Sequence, residues 1–125
     1  MSTAPTAPTA SVSTHILDTS VGRPARDVAV ELSARGGHDA PWRALGGSAT
    51  DADGRCKDLP ALPEGTTHVR LDFAVAPYFE NQRAEAQPGA VFFPEVAITF
   101  AVAPGEHYHV PLLLNPFGYS VYRGS

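Results

Sequence analysis

The sequence predicts an all-β chain, a two-sheet antiparallel β-sandwich of seven to eight short strands with one short helix. Three observations predict it. Twelve prolines and eleven glycines among 125 residues punctuate short apolar runs, the rhythm of strands and tight turns rather than of long helices. The runs are rich in β-branched and aromatic residues, which fit a pleated, half-buried surface. Their alternation has a period of two: Val69, Leu71, Phe73 and Val75 fall on one face and Arg70 and Asp72 on the other.

Taken in order, residues 1–12 are nearly all Ser, Thr, Ala and Pro, with nothing to bury against the entropy of ordering, and predict a flexible tail. Residues 13–125 suit one domain with a modest core. Strands are expected over Ser13 to Asp18, Val28 to Ala34 and Trp42 to Gly46, with turns at Val21-Gly22-Arg23-Pro24 and Asp51-Ala52-Asp53-Gly54. A fourth runs from Thr67 to Ala76. Pro77 then suits a first helical turn, and the helix-tolerant residues to Ala86 predict a short helix ended by Gln87-Pro88-Gly89. Strands over Val96 to Val102, Tyr108 to Leu114 and Tyr119 to Arg123 complete the chain, the first two separated by a Pro104-Gly105 turn. Leu112 to Leu114 are continuously apolar, so that strand is expected to be covered on both faces, by the sandwich or by another subunit. Trp42, Phe73, Phe92 and Phe93 read as core.

Composition narrows the function classes. A net charge of -4 with nine scattered basic residues offers no footprint for nucleic acid. No apolar run approaches a membrane span, and the N-terminus lacks the basic start and apolar stretch of a secretory signal, so a cytoplasmic protein is expected. The single Cys56 excludes an intrachain disulfide and fits a reducing compartment.

Several polar residues sit oddly in strand-like surroundings. His15 lies in STHILDTS, and judged alone it reads as a satisfied, half-buried strand histidine. His107 and His109, two apart, share one face of an extended strand. They form either a surface pair or half of a metal site. Zinc needs three or four ligands, and the other candidates, His38 and His68, fall in a loop and at a strand start without a cysteine pair, so no metal is expected. Arg55 follows the DADG turn, by default a solvated charge, and Asp51 to Gly54 lacks the later ligands of a calcium loop. Cys56 beside Arg55 has no evident base, and a strand cysteine is ordinarily buried and inert.

The opening STHILDTSVGRPARDVAVEL, the DGR of Asp53 to Arg55, the YF and FFPEV segments between Tyr78 and Val96, and the closing HYHVPLLLNPFGYSVYRGS together resemble the 5-hydroxyisourate hydrolases, the purine-catabolic branch of the transthyretin-like fold. The likeness runs from Ser13 to Ser125. It implies a transthyretin-like sandwich assembled as a homotetramer with sites between dimers. The activity it implies is hydrolysis of a cyclic amide in the small molecule 5-hydroxyisourate, yielding 2-oxo-4-hydroxy-4-carboxy-5-ureidoimidazoline without a cofactor. The catalytic groups it implies are His15, Arg55, His109 and Ser125, with His15 and Arg55 also holding substrate and Tyr122 and Arg123 shaping the pocket. His107 belongs to the motif without being the main catalytic histidine. Asn115, Phe117 and Val121 depart from the Ser, Tyr and Thr common there, and Arg83 to Ala90 is longer than usual.

These groups suit the reaction. A histidine with an ordinary pKa near 6.5 can take a proton from water and return it to a leaving nitrogen, the duties His15 and His109 would share. The guanidinium of Arg55 stays charged and its planar fork suits an imide-like oxygen that gains negative charge. Two other readings stand beside this one: a transthyretin-type small-ligand carrier, which lacks the YRGS end and the His/Arg set, and a metal-binding module on His107 and His109.

Overall fold

A computed structural model describes residues 8–82 and 91–125 of the chain. The elements run β1 (Ser11–Asp18), β2 (Arg23–Pro24), β3 (Ala29–Arg35), β4 (Arg43–Ala49), β5 (His68–Ala74), α1 (Val75–Gln82), β6 (Glu95–Ala101), β7 (His107–Asn115) and β8 (Gly118–Val121). They form two four-stranded sheets, ordered β2-β1-β7-β8 and β4-β3-β5-β6. The inward stripes of both sheets meet in one core, where Ile16, Leu32, Leu71, Phe73 and Leu112 are 0% exposed. The period of two expected around Phe73 is the observed one, with Val69, Leu71 and Phe73 buried and Arg70 and Asp72 half-exposed.

The sandwich is the expected one, with informative differences. β1 begins at Ser11, so Ser11 and Val12, expected in the tail, are strand residues paired with His107 and Tyr108. Residues 1–7 of that tail lie outside the described residues. β1 and β7 run parallel, whereas every other strand pair is antiparallel. These strands are far apart in sequence, so no tight hairpin dictates their direction. Arg23 and Pro24, read as turn, form a two-residue edge strand against Leu17 and Asp18, an edge where proline removes no needed donor. β4 runs on to Ala49 past Gly46, across a register shift opposite Leu32 and Ser33.

The helix starts at Val75, two residues before Pro77, and β5 ends at Ala74. Both first amides, Val75 at 3.0 Å and Ala76 at 2.9 Å, donate to the Pro94 carbonyl, and Pro77 sits in the first turn, where a missing N–H costs no helical bond. The expected helix end at Ala86, the Gln87-Pro88-Gly89 stop and the long Arg83 to Ala90 segment lie outside the described residues. β8 ends at Val121 rather than Arg123.

Of the aromatics read as core, only Phe73 is buried there. Phe92 is 68% exposed and edge-on to Phe93, which packs in turn against Tyr119. Trp42 lies half-buried beneath the guanidiniums of Arg35 and Arg70, 4.5 and 5.0 Å from its ring centroid. The end of β1 is fixed by Asp18, which is buried and accepts from the Tyr78 hydroxyl at 2.7 Å and the Ser20 amide at 2.9 Å. Burial, and then the bond to Asp18, push the Tyr78 hydroxyl well above the usual phenol range, so it stays a donor.

Candidate active site

Side-chain alternation puts Ser11, Ser13 and His15 on the outer face of β1 and His107, His109 and Pro111 on the outer face of β7. The parallel register sets Ser13 beside His109 and His15 beside Pro111. The Ser13 hydroxyl lies 2.8 Å from Nδ1 of His109 and 2.8 Å from Nε2 of His107, and the Ser11 hydroxyl lies 2.6 Å from Nδ1 of His107. Ser13 therefore occupies Nδ1 of His109, and Nε2 is the ring nitrogen without a hydrogen-bond partner among the described residues.

Arg55 reaches this face from the turn between β4 and β5. The Asp51 carboxylate accepts from the amides of Asp53 at 2.9 Å and Arg55 at 3.1 Å, closing the turn on itself. The Arg55 amide is the leading cause that holds the Asp51 carboxyl below its ordinary value. Gly54, at φ +77°, then presents its carbonyl to the Ile16 amide at 2.8 Å, and Arg55 pairs with His15 in an isolated antiparallel bridge. The approach is too close for any other residue: a Cβ on Gly54 would sit 2.4 Å from the Ile16 carbonyl oxygen and 3.3 Å from the His15 ring.

The closing YRGS arrives from the other side. Gly124 donates to the His109 carbonyl at 2.7 Å, and a Cβ there would lie 2.8 Å from Cδ2 of the His109 ring. Ser125 follows this bridge, exposed, and Tyr122 is 55% exposed with its amide 3.4 Å from the Pro111 carbonyl. His15, Arg55, His109 and the Gly124-Ser125 end are thus brought together. Arg123, expected to shape the pocket, is not: its guanidinium stacks 4.3 Å from the ring of Tyr108, which faces the buried side of β7, opposite His109.

His109 carries the clearest electrostatic signature. Partial burial, then repulsion from the Arg55 guanidinium and from the neighbouring His15 and His107 rings whenever they gain a proton, hold its pKa below the ordinary 6.5. The imidazole is therefore neutral at pH 7, with a free lone pair. If it is the base, kcat/KM should stay on its plateau through neutral pH and fall only as His109 gains a proton, with the acid limb below pH 6.5. An acid limb at or above that value in a pH–rate profile would count against His109 as the base.

His38 and His68, the other metal-ligand candidates, are not brought to His107 and His109. They contact each other with ring centroids 4.8 Å apart and planes tilted by 53°, and His68 belongs to the other sheet. Among the described residues no group of three or more His, Cys, Asp or Glu is placed to share a metal. Cys56 is buried, and burial pushes its thiol upward, so it is held as an unreactive thiol behind Arg55. The residues that sequence reasoning overlooked are Ser11 and Ser13. Their signal was present: in SVSTH, serine, serine and histidine alternate onto one strand face.

The family profile described as the HIUase/Transthyretin family matches residues 12–124. The chain belongs to the HIUase/Transthyretin family. Its similarity to curated HIUase/Transthyretin relatives is high: it is 41% identical over 116 residues to the 5-hydroxyisourate hydrolase of Salmonella dublin, spanning 91% of this chain and 80% of that one. Among solved structures, the 5-hydroxyisourate hydrolase of Klebsiella pneumoniae superimposes with a TM-score of 0.72 at 34% identity, over 93% of this chain and 94% of that one. An (S)-allantoin synthase superimposes with a TM-score of 0.80 at 28% identity, and this chain, 94% covered, spans 44% of it. The sandwich of this HIUase/Transthyretin chain, with one helix between β5 and β6, is therefore transthyretin-like, as the resemblance implied.

Proposed function

We propose that the chain hydrolyses 5-hydroxyisourate to 2-oxo-4-hydroxy-4-carboxy-5-ureidoimidazoline in urate degradation. The observation that carries this reading is the convergence on one open sheet face of a neutral, anchored imidazole, His109, with a second imidazole, His15, and a permanent cation, Arg55. Relatives at about the 41% identity level that bear the name 5-hydroxyisourate hydrolase support it.

His109 Nε2 takes a proton from water as the water oxygen bonds to the ring carbonyl carbon. Arg55 donates to the carbonyl oxygen as it gains charge, the electrostatic term that ordinarily dominates such additions. Collapse of the adduct breaks the carbon–nitrogen bond, His15 or His109 returns a proton to the departing nitrogen, and the new carboxylate faces Arg55. Ser125 and Tyr122 border the substrate from the YRGS end. No step calls on a metal or a covalent intermediate. A carrier of transthyretin type would have no use for a neutral base held beside a guanidinium, and that geometry favours the enzyme.

The enzyme works in the cytoplasm as a homotetramer in this reading. Two exposed apolar side chains support self-association, Val21 at 63% and Phe117 at 68%, because they project from turns at the same end of one sheet. Those turns are tied together where the Thr19 amide and hydroxyl donate to the Leu114 carbonyl at 2.7 and 2.9 Å.

The test is direct. 5-Hydroxyisourate generated from urate by urate oxidase should decay in the ultraviolet many-fold faster with this protein than without it. Decay at the spontaneous rate with folded protein present would overturn the assignment.

A further inference from the structure

The hydrogen bonds on the site's outer edge form a line rather than a cluster. From His109 they pass through Ser13 and His107 to Ser11, at 2.8, 2.8 and 2.6 Å, and both Ser11 and His107 are exposed. We propose that Ser13, His107 and Ser11 form a two-way proton relay that lets His109 alternate between base and acid at Nε2 while remaining uncharged. The proposal rests on the hydrolytic reading of the same site and adds three residues to it, with Ser13 as the positioning residue that everything passes through.

Donor counting carries the argument. A hydroxyl has one proton to give, and each neutral imidazole has one N–H and one bare nitrogen. Ser13 touches two imidazoles, so it donates to one and accepts from the other. That leaves two self-consistent polarities. In one, His109 donates from Nδ1 to Ser13, Ser13 donates to Nε2 of His107, and His107 donates from Nδ1 to Ser11, so Nε2 of His109 is bare and acts as the base. In the other every bond is reversed, and Nε2 of His109 carries the proton and acts as the acid.

The interchange balances. When Nε2 of His109 accepts a proton from the attacking water, its Nδ1 proton passes to Ser13. The Ser13 proton passes to Nε2 of His107, the Nδ1 proton of His107 passes to Ser11, and the Ser11 hydroxyl proton leaves to solvent. One proton enters and one leaves. Donation from Nε2 to the departing ring nitrogen draws the line back the other way.

The surroundings give the relay its use. The basic groups that face His109 are Arg55 from the turn, His15 from β1 and His107 from its own strand; the permanent charge of Arg55 opposes a cation there, and either histidine would add to that on gaining a proton. A lasting imidazolium beside Arg55 is unfavourable, and an exit for the proton at Nδ1 avoids it.

Ser13→Ala cuts the line without touching the core, because Ser13 is only half-buried on the outer face. Its kcat should fall about 10-fold or more with KM nearly unchanged, less than the roughly 10²- to 10⁴-fold that general acid–base transfer supplies in full, because His109 itself remains. Small buffer bases should restore kcat in a concentration-dependent way that the wild type does not show, and Ser13→Thr, which keeps the hydroxyl, should restore most of it unaided. Nitrogen-15 NMR of the histidine rings should show the His109 proton redistributed between Nδ1 and Nε2 in Ser13→Ala. An unchanged kcat, a reduced kcat that ignores buffer, or a ring proton where the wild type has it would each overturn the relay. Wild-type protein inactive on 5-hydroxyisourate would sink the substrate reading alone, provided the NMR redistribution is seen. Without the redistribution the relay falls whatever the activity.

Discussion

His109→Asn should lower kcat/KM for 5-hydroxyisourate by about 10²- to 10⁴-fold, the range that removal of a positioned acid–base group costs, and Arg55→Ala should cost a comparable factor of about 10²- to 10³-fold through lost charge stabilisation. Both residues stand on the outer face, His109 half-buried and Arg55 exposed, so neither change opens the core formed by Ile16, Leu71, Phe73 and Leu112. Asparagine is the sharper test at 109, because its amide can still donate to the Ser13 hydroxyl and fill the site yet has no lone pair basic enough to take a proton from water. The two losses should differ in kind. Without His109 the water is not activated, and kcat should fall with little change in KM. Without Arg55 the same carbonyl oxygen loses its donor in the ground state and more so in the transition state, so both parameters should worsen. The check is ultraviolet decay of enzymatically generated 5-hydroxyisourate, paired with a thermal melt to confirm the fold. A folded variant of either kind with near-wild-type turnover would remove that residue from the chemistry.

Much of this architecture was legible because it is written locally. Alternation at Val69, Leu71 and Phe73 marks the core face of β5, and the two-residue spacing of His107 and His109 marks a shared outer face whatever the register. What was not legible depends on long-range pairing. Nothing in STHILD or HYHVPL says that β1 runs parallel to β7, yet that register alone puts Ser13 against His109 and makes a common serine part of the site. Arg55 is reached by the DADG turn, which local chemistry predicts, but its meeting with His15 depends on the Gly54 carbonyl finding the Ile16 amide across nearly forty positions of chain. Arg123 shows the reverse failure. The motif placed it with Ser125, while its guanidinium lies against the ring of Tyr108, on the face of β7 opposite His109. The start of α1 moved for a similar reason: its first amides are satisfied by the Pro94 carbonyl on a later segment, which no feature near Pro77 announces.

That dependence on Gly54 yields the second large effect. Gly54→Ala should destabilise the fold by roughly 2–5 kcal/mol, combining the strain of a left-handed backbone with the overpacking of a closed contact. The contact is the decisive part, because the added Cβ would meet the Ile16 carbonyl oxygen at 2.4 Å, and a backbone atom of a core strand cannot rotate aside as a side chain can. Relief requires the turn to lift from β1, which breaks the Ile16 amide to Gly54 carbonyl bond of 2.8 Å and carries Arg55 away from His15. Activity should therefore fall with stability, even under conditions where the variant is fully folded. Gly22 supplies the internal control. It too has a positive φ, +69°, but nothing lies within 4 Å of its added Cβ, so Gly22→Ala should cost only the backbone strain, about 1 kcal/mol, and leave turnover intact. Denaturant midpoints and rates measured on both variants separate the two contributions. Equal destabilisation by both would mean that the Ile16 contact is relieved cheaply, and that the turn is not what holds Arg55 at the site.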